Sequence, residues 1–296
     1  MFWHSHEAET RFSTCVYIKI TIMGSGLSAP AQLSAEMLAK PDVDAFALAG
    51  TAEGQRLIMK TLLANECGYR CESSEENQTA FLDAICKGYL EAKLADNKGY
   101  KSYHTLTHAY DVMLTTHCII QDSAIALFTP EERTGLIVAA LCHDVLHPGV
   151  NNAYFVNIKD NLAAKYNNLS VLEQQSIDFA LPLAKQYDIV KTENAEKIFV
   201  SSIAWTDMSK HGDLMKNTES LLPEFIRLLN NKRGELAIGE KDSGLDKKDL
   251  EAGINLSTIL TLEQKEILAA FILHCADVSN PVKSWAYCER WAVLVM

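Results

Sequence analysis

From Gly135 to Cys142 the chain is almost wholly apolar, and it then runs straight into His143-Asp144-Val145-Leu146-His147-Pro148-Gly149. An apolar run of that length reads as a buried helix, and the Pro-Gly pair stops it. Two imidazoles and a carboxylate are therefore placed where a buried helix ends, facing an internal cleft. Burying such groups without partners is costly, and a divalent cation satisfies both kinds at once. A histidine closing a helix C-terminus, with an aspartate in the following turn, is the plainer reading; both stand at this point.

The pattern recurs. Thr261-x-x-Gln264 has the form of a capping box, the run from Ile267 to Ala276 carries no charge, and His274 and Asp277 close it before Ser279-Asn280-Pro281. His104 and His108 stand four residues apart, followed by Asp111 and Thr115, which places all four on one face of a helix read from His104 to Ile120. Three helices thus present His and Asp, and two of them are apolar before those residues.

Elsewhere the periodicity is helical as well. Leu57, Ile58, Leu62 and Leu63 form one stripe within 51–67, and Phe81, Ile85, Tyr89 and Leu90 another within 78–95. Thr129-Pro130-Glu131-Glu132 opens a helix predicted to run to about Val145. Further helices are predicted over 170–186, 195–208, 221–229 and 284–296, the last with Trp285 and Trp291 on its apolar side. No stretch reads as a strand, so the predicted fold is all-α, a compact multi-helix domain over 31–296. Residues 1–30 read as an irregular lead-in, and the charged stretch 230–255 as a solvated loop.

The net charge of −11 and the lack of a dense Lys/Arg run exclude nucleic acid and anionic membrane as the main partner. An anionic substrate would need a local positive centre, which a metal supplies. The eight cysteines show neither zinc-type pairing nor a disulfide framework and suit a reducing compartment. No run is long enough to span a bilayer, and residues 1–27 lack the apolar core of a signal peptide, so a cytoplasmic protein is expected. Homo-oligomer formation is left open.

Five blocks then stand in order: Tyr103-His104-x-x-x-His108-Ala109-x-Asp111-Val112, His143-Asp144-x-x-His147-Pro148-Gly149-x-x-Asn152, Tyr166-Asn167-x-x-Ser170-Val171-Leu172-Glu173, Thr206-Asp207-Met208 with His211, and His274-Cys275-Ala276-Asp277-x-Ser279-Asn280-Pro281. In these blocks the chain resembles the catalytic domain of class I cyclic-nucleotide phosphodiesterases, of the HD type, over roughly residues 31–296. The resemblance implies that His108, His143, Asp144 and Asp277 hold a first metal, usually zinc. It implies that Asp144 also bridges to a second ion, Mg2+ or Mn2+, whose waters are oriented by His147 and Glu173. A hydroxide bridging the two ions would then open the 3',5'-cyclic phosphate of cAMP and/or cGMP to the 5'-monophosphate. His104 would protonate the leaving oxygen as general acid, with Tyr103, Asn280 and Met208 around the substrate.

The pattern also departs from the family. Thr105 replaces the usual Asn, Leu146 replaces an acid, and Gln174, Gln175 and Ser176 stand where a His is common. The family's purine-gripping Gln and base-clamping Phe fall beyond the last block, so the expected domain is incomplete at its C-terminus. Two other readings compete: a catalytically impaired fragment that binds metal or a partner, and a general His-Asp phosphohydrolase.

Overall fold

The structure, a computed structural model, describes residues 33–40, 43–64, 67–91, 103–243 and 256–295. Among them there is no strand, as the all-α expectation requires. The elements are α1 (Ala35–Leu38), α2 (Ala45–Leu48), α3 (Ala52–Leu63), α4 (Glu75–Glu91), α5 (Leu106–Ile119), α6 (Pro130–Cys142), α7 (Asn152–Asn157), α8 (Asn161–Lys165), α9 (Val171–Gln186), α10 (Glu193–Ala204), α11 (His211–Ser243), α12 (Leu262–Asp277) and α13 (Trp285–Val295). The expected lead-in over 1–30 lies outside the described residues. No helix among those described is long and apolar enough to cross a membrane.

Helix α6 is the axis of the molecule. Every residue from Glu132 to Cys142 is buried, and α5, α10 and α12 pack around it. Its start is fixed as the sequence predicts: Thr129 accepts from Glu132 N, and the Glu132 side chain accepts from Thr129 N, a complete capping box. Gly135 explains the close approach of α10. A β-carbon there would lie 2.4 Å from the Ala195 carbonyl oxygen, inside any tolerable contact.

Helices α6 and α12 run side by side in the same direction. Lys265, near the start of α12, donates to both Glu132 oxygens at 2.8 and 3.0 Å. At the other end, His143 Nε2 lies 3.4 Å from Asp277 Oδ1. Between these two contacts each helix advances about 17 Å, so the ion pair and the His/Asp cluster share one register.

Several helix boundaries differ from the sequence reading for identifiable reasons. Helix α5 starts at Leu106, because Thr105 caps it through an N–H of His108, and His104 therefore precedes the helix. The predicted short helix at 221–229 is a segment of α11, which passes through Pro223. The expected loop over 230–255 is helical as far as Ser243, since Lys232, Arg233, Glu235, Leu236 and Ala237 are good helix formers that extend a helix already nucleated. Residues 244–255 lie outside the described residues. Leu90, assigned to a core stripe, is 78% exposed near the end of α4. The two tryptophans of α13 part company: Trp291 is buried against Phe46, ring centroids 4.5 Å apart, whereas Trp285 is exposed.

Candidate metal centre and active-site cleft

The C-terminal ends of α6 and α12 meet the N-terminal approach of α5 at the floor of a cavity of about 650 Å³. After α6 the chain turns sharply. His143 continues the helical conformation, Asp144 and Val145 follow in a turn, and Leu146 adopts a positive φ of 66°. That left-handed step, uncommon for a residue with a side chain, reverses the chain and brings His147 back over the cavity. Leu146 therefore serves the site through its backbone. Ser176, where the family has a His nearby, donates to the Val145 carbonyl at 2.8 Å and ties α9 to this turn.

His108 Nε2 lies 2.9 Å from Asp277 Oδ1 and 3.7 Å from Asp144 Oδ2. His143 Nε2 lies 3.3 Å from Asp144 Oδ2 and 3.4 Å from Asp277 Oδ1. Nitrogen and oxygen ligands about 2.1 Å from a shared ion stand about 3.0 to 3.4 Å apart in octahedral or tetrahedral arrangements. Three of the cluster's four separations lie within about 0.1 Å of that range, and the fourth, His108 to Asp144 at 3.7 Å, is longer.

Its tautomers fit as well. His143 Nδ1 donates to the Ala140 carbonyl at 2.9 Å, so in neutral His143 the lone pair is on Nε2, aimed at two carboxylates. His143 Nε2 and Asp144 Oδ2 are buried without a hydrogen-bond partner. Burial opposes a charge on His143, yet Asp144 and Asp277 outweigh it and raise its pKa well above the ordinary value. Burial likewise works against ionisation of the two aspartates, and the imidazoles around them reverse the effect, holding both carboxyls well below the usual range. Such a site takes up positive charge, either as a proton on His143 or as a cation among the four side chains.

A second group lies beside the first. Ligand atoms of His104, Asp144 and His147 all lie within 4.8 Å of one another, so Asp144 belongs to both constellations. The His104 and His147 rings are stacked, 3.7 Å between centroids. His147 Nδ1 accepts from Gly149 N at 3.1 Å, which leaves its Nε2 to carry the proton. Burial lowers the pKa of His104, and the nearby Asp144 partly restores it.

Glu173, Tyr103 and Met208 line the cavity, Met208 with 61% of its surface exposed. Asn280 does not; it is buried behind Tyr103. His274 is also buried away from the cavity, where its Nε2 lies 2.8 Å from His211 Nδ1. The sequence reading gave no site role to Asp207, which lines the far wall and is held by Ser170 Oγ at 2.8 Å and Ser209 N at 2.9 Å. Nor did it give one to Trp291, whose ring meets His108 and Tyr103 edge-on at 5.6 Å.

Glu173 yields a pH-dependent prediction. Its Oε2 accepts from Asn152 Nδ2 at 2.9 Å. Burial above all, with the charges of Asp207 and Asp144 adding to it, lifts its carboxyl to about 7. The folded pKa is above the unfolded one, so the stability this group contributes is full below about pH 4.3 and is lost as pH rises through 7. Glu173→Gln keeps the shape and an acceptor for Asn152 while removing the titration. In chelator it should stabilise the protein by on the order of 3 kcal/mol at pH 8 and roughly a third of that at pH 5. Equal melting-temperature gains at the two pH values would refute this.

Comparison with known proteins agrees with this geometry. A family model described as 3'5'-cyclic nucleotide phosphodiesterase matches residues 103–296. A 3',5'-cyclic-AMP phosphodiesterase (isoform F) of Drosophila melanogaster is 30% identical over 203 residues, covering 66% of this chain and 27% of the relative. A Caenorhabditis elegans protein named "Probable 3',5'-cyclic phosphodiesterase pde-6" is 29% identical over 196 residues, 64% of this chain and 23% of the relative. The chain thus spans about a quarter or less of the length of these curated relatives. The phosphodiesterase domain of the RhoPDE fusion protein from the choanoflagellate Salpingoeca rosetta superposes with a TM-score of 0.65 at 24% identity, over 90% of this chain and 73% of that one. That likeness speaks for the fold. The match to the family model begins at Tyr103, beside the first cavity histidine, and takes in every residue of the His/Asp cluster: the chain belongs to the 3'5'-cyclic nucleotide phosphodiesterase family.

Proposed function

We propose that this chain hydrolyses 3',5'-cyclic nucleotides, cAMP and/or cGMP, to 5'-monophosphates. The observation that carries the proposal is the set of His143, Asp144 and Asp277 on the cavity floor with His108 buried beside them, the two aspartates half-buried, and with mutual N···O distances of 2.9 to 3.7 Å. Two imidazoles and two carboxylates make a borderline-hard donor set that suits zinc. Asp144, His147 and Glu173 favour a second, harder ion such as Mg2+ or Mn2+, held largely through water. When bound, the ions supply charge to neutralise the phosphoryl oxygens and acidify the water they hold.

The chain's own residues do the rest. His104, beside Asp144 and stacked on His147, is placed to carry a proton on its ring and deliver it to the departing ribose 3' oxygen. An alkoxide is a poor leaving group, so this proton is needed as the P–O bond breaks. Asp144 holds the His104 side of the site and the ligand cluster in one frame. Tyr103 walls the cavity beside His104. A cytosolic setting is part of the proposal, supported by cysteines whose spacing in the sequence shows no disulfide framework.

The test is hydrolysis of both cyclic nucleotides by the purified chain loaded with zinc and magnesium. We expect 5'-monophosphate as product and loss of turnover in chelator, restored by the metals. Turnover of other phosphoesters with both cyclic nucleotides untouched would instead indicate a general phosphohydrolase, and metal binding without turnover of any phosphoester would indicate an impaired fragment.

A further inference from the structure

His104 stands outside α5, one residue before its cap Thr105, whose carbonyl accepts from Ala109 N at 3.0 Å and whose hydroxyl accepts from His108 N, so the segment is held on its C-terminal side by the helix start. Within that segment Thr105 N donates to the Tyr103 carbonyl at 2.7 Å. On the other side of His104, a tether to a second part of the protein is the Tyr103 side chain. Its hydroxyl donates to Asn280 Oδ1. Asn280 Nδ2 in turn donates to Asp111 Oδ2 at 3.1 Å. The other Asp111 oxygen is ion-paired with Lys283, which also donates to Thr115 Oγ1 at 3.0 Å. The side chains of the Lys283–Asp111 pair are 9% and 5% exposed.

The tethered ring bears directly on the site. It lies against His108, 4.4 Å between centroids, and edge-on to His104 at 5.1 Å, with Trp291 behind it at 5.6 Å. A buried ion pair seldom stabilises a fold more than apolar residues of the same size. Its advantage here is direction: each link of the chain has one geometry. Asn280 commits its amide to Tyr103 and Asp111 and is 7% exposed, which leaves it poorly placed to read a base.

We propose that Lys283, Asp111 and Asn280 form a buried clamp on the Tyr103 hydroxyl that fixes the His104 imidazole over the ligand cluster. They are positioning residues, and the proposal rests on the reading of His104 as the general acid. A displacement of about 1 Å in a catalytic group costs on the order of 100-fold in rate.

Tyr103→Phe removes only the clamped hydroxyl, and Asp111→Asn weakens the clamp from its far end. For each we would measure kcat, KM, bound metal, melting temperature and the NMR signals of the His104 ring, assigned by their loss in His104→Ala. Tyr103→Phe should lower kcat about 10- to 100-fold with KM within about twofold, metal content unchanged and the His104 signals moved. Asp111→Asn should shift the same quantities the same way by less, and it decides the matter if Tyr103→Phe does not fold. A raised KM with kcat retained, an altered cAMP to cGMP ratio, or unmoved His104 signals would overturn the clamp. If the wild-type chain hydrolyses neither nucleotide, the proposed function fails, and the ring signals alone then judge the clamp.

Discussion

Asp277→Ala should lower zinc affinity at least about 100-fold and reduce cyclic-nucleotide hydrolysis to background, while His104→Ala should keep its metal and lose about 10²- to 10⁴-fold in kcat. The two outcomes separate because the side chains occupy different places. Asp277 Oδ1 lies within 3.4 Å of both His143 Nε2 and His108 Nε2, so it faces the point the four ligands share. Without it, two imidazoles and one carboxylate remain, with less negative charge to offset a dication. Folding should survive, since Asp277 is the last residue of α12 and its side chain keeps 19% of its surface exposed. His104 belongs to the neighbouring constellation, stacked on His147. Metal analysis after dialysis, with kcat and KM on the reloaded proteins, reads both effects. Zinc retained in full by Asp277→Ala, or zinc lost from His104→Ala, would sink this division of labour.

The meeting of these His and Asp side chains was legible in the sequence because its signal is local. A buried helix must end somewhere, and His143-Asp144 and His274 to Asp277 stand at two such ends after runs that carry no charge. Helix starts were legible for the same reason, as the capping boxes at Thr129 and Thr261 show. What could not be read was whatever depends on pairs distant in the chain. Asp111 was placed on the face of His104 and His108, but its partner Lys283 comes 172 residues later. Asn280 was expected at the substrate from the family resemblance alone, whereas tertiary packing turns it toward Tyr103. Thr105, a departure from the family's usual Asn, caps α5 as an Asn could. The part of α11 beyond 229 was missed because a charged stretch with no apolar stripe reads as loop; the helix propensity of its residues was the signal available.

The ion pair at the far end of the same helices should be nearly as sensitive as the cluster itself: Lys265→Met is expected to destabilise the protein by about 3 to 5 kcal/mol. Glu132 and Lys265 are 1% and 6% exposed. The Glu132 carboxylate makes four contacts with three donors, receiving Lys265 Nζ on both oxygens, Thr129 N at 2.8 Å and Asn194 Nδ2 at 3.3 Å. It thereby joins the N-terminal ends of α6, α10 and α12. Without Lys265 a carboxylate stays buried with only neutral donors, and the cost is the desolvation of that charge. Glu132→Gln combined with Lys265→Met removes both charges and should recover most of the loss, because the penalty comes from an unpaired charge and the pair itself contributes little. Chemical denaturation of the wild type, the two single variants and the double variant measures the coupling. A double variant as unstable as the sum of the singles would contradict it. The pair also shares the register of the His143–Asp277 contact, about 17 Å along both helices, and is expected to help hold it. Lys265→Met should therefore weaken zinc binding even under conditions where it remains folded, whereas a pair that acts on stability alone would leave zinc affinity unchanged.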